Sequence, residues 1–180
     1  MLEVGSRAPE FVLANDRGGE TTLSDLLQDG PLILYFYPAD FTPGCTKEAC
    51  SIRDIHNDIQ SVGLQVAGVS PQDTESHVRF RDEYELPFVL LSDPDKVAIR
   101  MYDVDGPFGV GVRRATFLIN QDRTIQDAMM ADVRIGRHQE FIEKAVVLRE
   151  TAGLRPDTRQ SPWTVRMTRR VCGARRCSQR

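Results

Sequence analysis

Six consecutive apolar residues, Leu32 to Tyr37, end at Pro38. An unbroken apolar run of this kind is the pattern of a strand covered on both faces, so the fold must supply a layer above and below it. A short loop containing Thr42, Pro43 and Gly44 follows. Cys45 then opens a helical pattern in which Ala49, Ile52, Ile55 and Ile59 share one face, as far as Gly63. Backbone N–H groups at a helix start lack partners and, with the helix dipole, favour an anion there. The thiolate, not the thiol, is the nucleophile. Cys45 is therefore a candidate nucleophile, and Cys50 a candidate partner in a disulfide cycle.

The flanking chain repeats the same alternation. Phe11 to Ala14, a turn rich in Asn, Asp and Gly, and Thr21 to Leu23 read as a small hairpin, with Ser24 and Asp25 as caps of a one-turn helix. Leu64 to Ser70 predicts a second buried strand. Beyond Pro71 to Asp73 comes a helix with His77, Phe80 and Tyr84 on one face, stopped at Pro87. Phe88 to Leu91 is a strand, Lys96 to Tyr102 a short helix, and Val104 to Val112 a glycine- and proline-containing flexible connection. Arg114 to Ile119 and Thr124 to Met129 flank a hairpin turn, and His138 to Leu148 is a final helix. The pattern predicts an α/β fold with a central mixed sheet and helices on both faces. The glycines at 106, 109 and 111 lack the spacing and following helix of a nucleotide-binding fingerprint.

Charge divides the chain. Residues 151–180 carry eight arginines and one acid, a balance of +7, whereas residues 1–150 carry 15 basic and 25 acidic side chains, or −10. The expected organisation is one domain over 1–150 and an Arg-rich, disordered extension over 151–180. The arginines of the extension lack the interleaved aromatics of a recognition surface, and no nucleic-acid partner is expected. No apolar stretch approaches the roughly 20 residues of a membrane helix. The N-terminal residues lack a secretory pattern, so a cytoplasmic protein is expected. There, cysteines point to catalysis or redox cycling before structural disulfides. Cys172 and Cys177 form a single pair without nearby histidines, which falls short of a zinc site, and no metal or other cofactor is expected. His56, His77 and His138 fall on separate helices and read as surface or packing residues.

The segment Pro38-x-x-x-Thr42-x-x-Cys45 resembles the active-site motif of the peroxiredoxins. The fuller string TPGCTKEAC, with cysteines five apart, is similar to the subgroup called bacterioferritin comigratory protein or peroxiredoxin Q. The resemblance extends from about Gly5 to Ala152, includes SHVRFRDEYELPFVLLSD and RATFLIN, and leaves the extension uncovered. It implies a thioredoxin-like fold and a peroxidase that acts on hydrogen peroxide and organic hydroperoxides, with thioredoxin as reductant. The residues make chemical sense in those roles. Cys45 would attack the terminal peroxide oxygen to give a sulfenic acid. Thr42 offers a hydroxyl and Gly44 and Cys45 offer N–H groups, whereas Pro43 has none. Pro38 would shield the sulfur. A guanidinium is expected to favour the thiolate. The resemblance points to Arg114, not its neighbour Arg113, with Glu48 orienting it through a bidentate pair.

In an intact helix, residues five apart lie roughly 8–9 Å between Cα atoms, whereas a disulfide needs about 4.4–6.8 Å. A Cys45–Cys50 disulfide therefore requires the start of the helix to unwind. Resolution by Cys172 or Cys177 is the rival route; the short Cys45–Cys50 loop favours Cys50 and a monomer. Two other functions share the pattern. A thioredoxin-like disulfide oxidoreductase would carry C-x-x-C, but position 48 is glutamate. A non-enzymatic binding protein could use the same scaffold.

Overall fold

The computed structural model describes residues 1–153, apart from 133 and 135. Residues 154–180 of the extension, with Trp163, Cys172 and Cys177, lie outside the described residues. Among the described residues, no helix is long and apolar enough to cross a membrane, and no group of three or more His, Cys, Asp or Glu could hold a metal ion.

Leu32–Phe36 forms strand β3, and all five of its residues are buried. It pairs in parallel with β4 (Gln65–Ser70) on one side and antiparallel with β6 (Ala115–Ile119) on the other. With β1 (Val12–Asn15), β2 (Glu20–Thr22), β5 (Val89–Ser92) and β7 (Ile125–Met130), the strands make one mixed sheet in the order β2-β1-β5-β4-β3-β6-β7. Alternation along β3 sends Leu32, Leu34 and Phe36 to one core and Ile33, Tyr35 and Tyr37 to the other. The first core is covered by α1 (Leu23–Leu26) and α5 (Val97–Met101). The second is covered by α2 (Pro43–Asp54), α3 (His56–Ser61), α4 (Thr74–Tyr84) and α6 (Gly136–Thr151). This two-sided cover is what the uninterrupted apolar run demands. Tyr35 leaves no room for a side chain on β4: a Cβ at Gly68 would sit 2.6 Å from its Cζ.

Several local expectations need correction. Leu23 belongs to α1 rather than to the hairpin, and the cap is Thr22, not Ser24 or Asp25. The Thr22 hydroxyl accepts from the Asp25 N–H while the Asp25 carboxylate accepts from the Thr22 N–H, a reciprocal capping box. The helix read from Cys45 to Gly63 is two helices, because Ile55 (φ −105°, ψ 9°) leaves the helical region between α2 and α3. The helix also starts at Pro43, so Cys45 is its third residue rather than its first. The connection from Val104 to Val112 is tied down by Lys96. Its ammonium donates to the Asp105 carboxylate (2.8 Å) and to the carbonyls of Gly109 (2.7 Å) and Gly111 (2.8 Å).

Candidate active site

At Pro38 the chain leaves the sheet and turns through residues 39–42 into α2. Proline at the first position of a helix costs no hydrogen bond, because that N–H would be unpaired in any case. The Thr42 side chain does not cap the helix; its hydroxyl donates to the Ala39 carbonyl at 3.1 Å. The oxygen of Thr42 is thus left to accept from a ligand. The N–H groups of Gly44 and Cys45 lie in a first turn that has no preceding carbonyls to bind. The Thr46 N–H already bonds the Thr42 carbonyl (2.9 Å).

Cys45 is buried and carries a free thiol. Arg114, at the start of β6, donates from Nη2 to its sulfur at 3.3 Å and from Nη1 to Oε2 of Glu48. Arg113 points elsewhere and pairs with Asp132 at 3.0 Å. Burial works against the Arg114 charge, but Glu48 and the Cys45 sulfur outweigh it and hold the guanidinium above its ordinary value. Glu48, one turn after Cys45, is completely buried. Burial pushes its carboxyl up to about 7 against the opposing pull of Arg114. The expected bidentate pair is absent. Only Oε2 takes Arg114, and Oε1 has no hydrogen-bond partner.

Oε1 instead faces His138 Nδ1 at 3.5 Å. His138, on α6, is fully buried, with Nδ1 2.7 Å from the Thr116 hydroxyl and Nε2 3.0 Å from the Ala131 carbonyl. Burial lowers its pKa. Reading it as packing missed this: a histidine on a helical face carries no signal of a carboxylate on a different element.

A second buried cluster fixes the loop before Cys45. The Asp40 carboxylate accepts from the hydroxyls of Tyr37 (2.8 Å) and Ser76 (2.6 Å) and faces His77 Nδ1 at 2.9 Å. Its side chain and that of His77 are wholly inaccessible. Burial alone would raise the Asp40 carboxyl, but His77 and the two hydroxyls hold it below the usual range. His77 Nε2 reaches the Leu91 carbonyl at 3.2 Å, so the imidazole bolts the loop to β5. Phe41, next to Asp40, takes a left-handed φ of 58°, a strain that persists only where surroundings over-determine it. Its ring packs against Phe80 with centroids 5.2 Å apart. Beside Pro38 and Arg114 opens a cleft of about 440 Å³, whose other walls include Pro107, Val110 and Val112.

Cys50 is also buried, on the same unbroken helix as Cys45. Cys45 is free, so the two are not joined to each other. The structure thus brings Cys45, Glu48 and Arg114 into contact, with Pro38, Thr42, Pro43 and Gly44 in the adjoining loop and first turn.

The AhpC/TSA family model matches residues 4–128. The chain belongs to the AhpC/TSA family. Within it, the chain is 41% identical over 143 residues to a putative peroxiredoxin bcp of Coxiella burnetii, covering 76% of this chain and 93% of that one. It is 39% identical over 127 residues to peroxiredoxin Bcp of Bacillus subtilis, covering 67% and 80%. Among solved structures, peroxidoxin BcpB from Mycobacterium tuberculosis superposes with a TM-score of 0.77 at 31% identity, over 82% of this chain and 98% of that one. The bacterioferritin comigratory protein of Xanthomonas campestris, described for its alkyl peroxide reduction activity, superposes with a TM-score of 0.70 at 28% identity, over 77% and 90%. These family members share the thioredoxin-like fold.

Proposed function

We propose that this family member is a thiol-dependent peroxidase that reduces hydrogen peroxide and organic hydroperoxides through Cys45. The observation that carries the reading is the Arg114 guanidinium 3.3 Å from the Cys45 sulfur, at the open first turn of α2. A fixed cation and a helix start both favour negative charge on sulfur. Cys45 Sγ⁻ attacks the terminal oxygen of the hydroperoxide. The S–O bond forms as the O–O bond breaks, and the leaving oxygen takes a proton to become water or an alcohol. The N–H groups of Gly44 and Cys45 and the oxygen of Thr42 orient the peroxide and receive the developing charge. Pro38 covers the sulfur, Pro43 starts the helix, and the cleft beyond Pro38 takes an organic substituent.

In the second half of the cycle Cys50 enters as a thiol. Its sulfur displaces the sulfenic oxygen as water and forms a Cys45–Cys50 disulfide. Because both residues lie on α2, that bond requires at least the first turn or two to unwind. A dithiol protein, thioredoxin by the family pattern, then restores both thiols by exchange. A disulfide within one chain needs no second subunit, which fits a cytoplasmic monomer. The test is peroxide consumption coupled to thioredoxin: the wild type turns over and Cys45→Ser does not. Equal turnover by Cys45→Ser would overturn the reading.

A further inference from the structure

The unexplained feature of the site is the single-point attachment of Glu48 to Arg114. A buried carboxylate beside a guanidinium ordinarily takes two parallel N–H bonds. Here it takes one, and Oε1 stays orphaned while facing His138 Nδ1 at 3.5 Å. The arrangement matters for the chemistry. A bidentate Glu48 would take one of the two N–H groups of Nη2, the nitrogen that holds the Cys45 sulfur, and would turn the guanidinium away from that sulfur. Something must keep Oε1 turned away.

The histidine can do this only with a proton in place. Nε2 of His138 faces a carbonyl, the Ala131 oxygen at 3.0 Å, so Nε2 carries hydrogen. That leaves Nδ1 to face Oε1. A bare Nδ1 lone pair opposite a carboxylate oxygen repels it; one proton on either atom turns the contact attractive. The Thr116 hydroxyl, 2.7 Å from Nδ1, can rotate to donate or accept and so tolerates either placement. The charged and titratable groups around the pair are few. Glu48 is felt by Arg114 and by Tyr35 of β3, with Cys45 one turn before it on α2. His138 is felt by Arg114, Asp132 and Arg137.

We propose that one proton held between Oε1 of Glu48 and Nδ1 of His138 keeps the carboxyl monodentate on Arg114, and thereby reserves Nη2 for the sulfur of Cys45. His138 is then a positioning residue for the peroxidase reaction. The proposal rests on the peroxidase reading above, and deepens it by naming what aims the guanidinium.

The test compares the second-order rate constant of fully reduced protein with hydrogen peroxide at near-neutral pH, by stopped-flow fluorescence. In His138→Leu, Glu48 closes onto Arg114 and the sulfur loses one charge-assisted hydrogen bond, which slows the reaction about 10- to 100-fold. Adding Glu48→Gln restores most of that loss, because the glutamine has one acceptor oxygen and cannot bridge the guanidinium. A merely structural histidine would not be rescued by a second change at Glu48. His138→Asn places an amide donor where Nδ1 stood and keeps the rate within about threefold of wild type. If His138→Leu does not fold, His138→Asn decides the matter, and a tenfold loss in that folded variant overturns the proposal. A His138→Leu rate equal to wild type, or a double variant as slow as the single one, also overturns it. A wild type that fails to react with peroxide would instead refute the peroxidase reading, so the two failures are distinguishable.

Discussion

Replacing Arg114 by methionine should make stability depend on pH in a way the parent does not. Glu48 ionises at about 7 in the folded protein against 4.5 for the free group. Between those values the folded state holds a proton that the unfolded state has released, so stability falls as pH rises through that window. Above about pH 7 both states are ionised and Glu48 adds no further slope. With Arg114 removed, the cation that draws the carboxyl down is gone, and the buried acid keeps its proton well above 7. The variant then holds one extra proton when folded and loses about 1.4 kcal/mol of stability per pH unit where wild type loses none. The difference between the two should widen by about 2 kcal/mol from pH 7 to 8.5. Urea denaturation across that range measures it, on a Cys45→Ser background so that thiol ionisation does not enter. Arg114→Met combined with Glu48→Gln should abolish the widening. A stability difference that stayed constant from pH 7 to 8.5 would refute the assignment of Glu48 as a buried acid held by Arg114.

Three further outcomes are expected. Gly68→Ala places a methyl group 2.6 Å from Cζ of Tyr35 and should cost about 1–3 kcal/mol in urea denaturation through overpacking. Asp40→Asn removes the charge that holds His77 and exposes two hydroxyls to an amide; a loss of about 2–4 kcal/mol is expected, with a slower peroxide reaction because the Pro38–Thr42 loop loosens. Val110, exposed on the rim of the cleft, should affect bulky substrates alone. In steady-state assays Val110→Asp should lower kcat/KM for cumene hydroperoxide about threefold to tenfold while leaving hydrogen peroxide unchanged.

What could be read from the sequence follows how local each signal is. The strand at Leu32, the stop at Pro38 and the helix carrying Cys45 depend on neighbours within a turn or two, and all are present. Thr22 as a cap was hidden because Ser24 and Asp25 offer equally good capping chemistry two residues on. The break at Ile55 was hidden because Ile52, Ile55 and Ile59 keep helical spacing straight across it. Arg114 was reached through family resemblance, since nothing in its own strand marks it as a partner of α2. The links from Asp40 to His77 and from Glu48 to His138 join elements far apart in the chain. At each end the residue looks like an ordinary polar position. Only the fold shows that Asp40 and His77 are buried face to face, or that Oε1 of Glu48 is turned from its own guanidinium.

In the proposed cycle the Cys45 sulfur meets peroxide and α2 must open afterwards. Mass mapping of cysteine pairs, in protein first fully reduced and then treated with one equivalent of hydrogen peroxide, tests both together. The predicted product is a Cys45–Cys50 crosslink within a monomer. A bond from Cys45 to Cys172 or Cys177, or a Cys45 that remains a thiol after the peroxide is consumed, would contradict it.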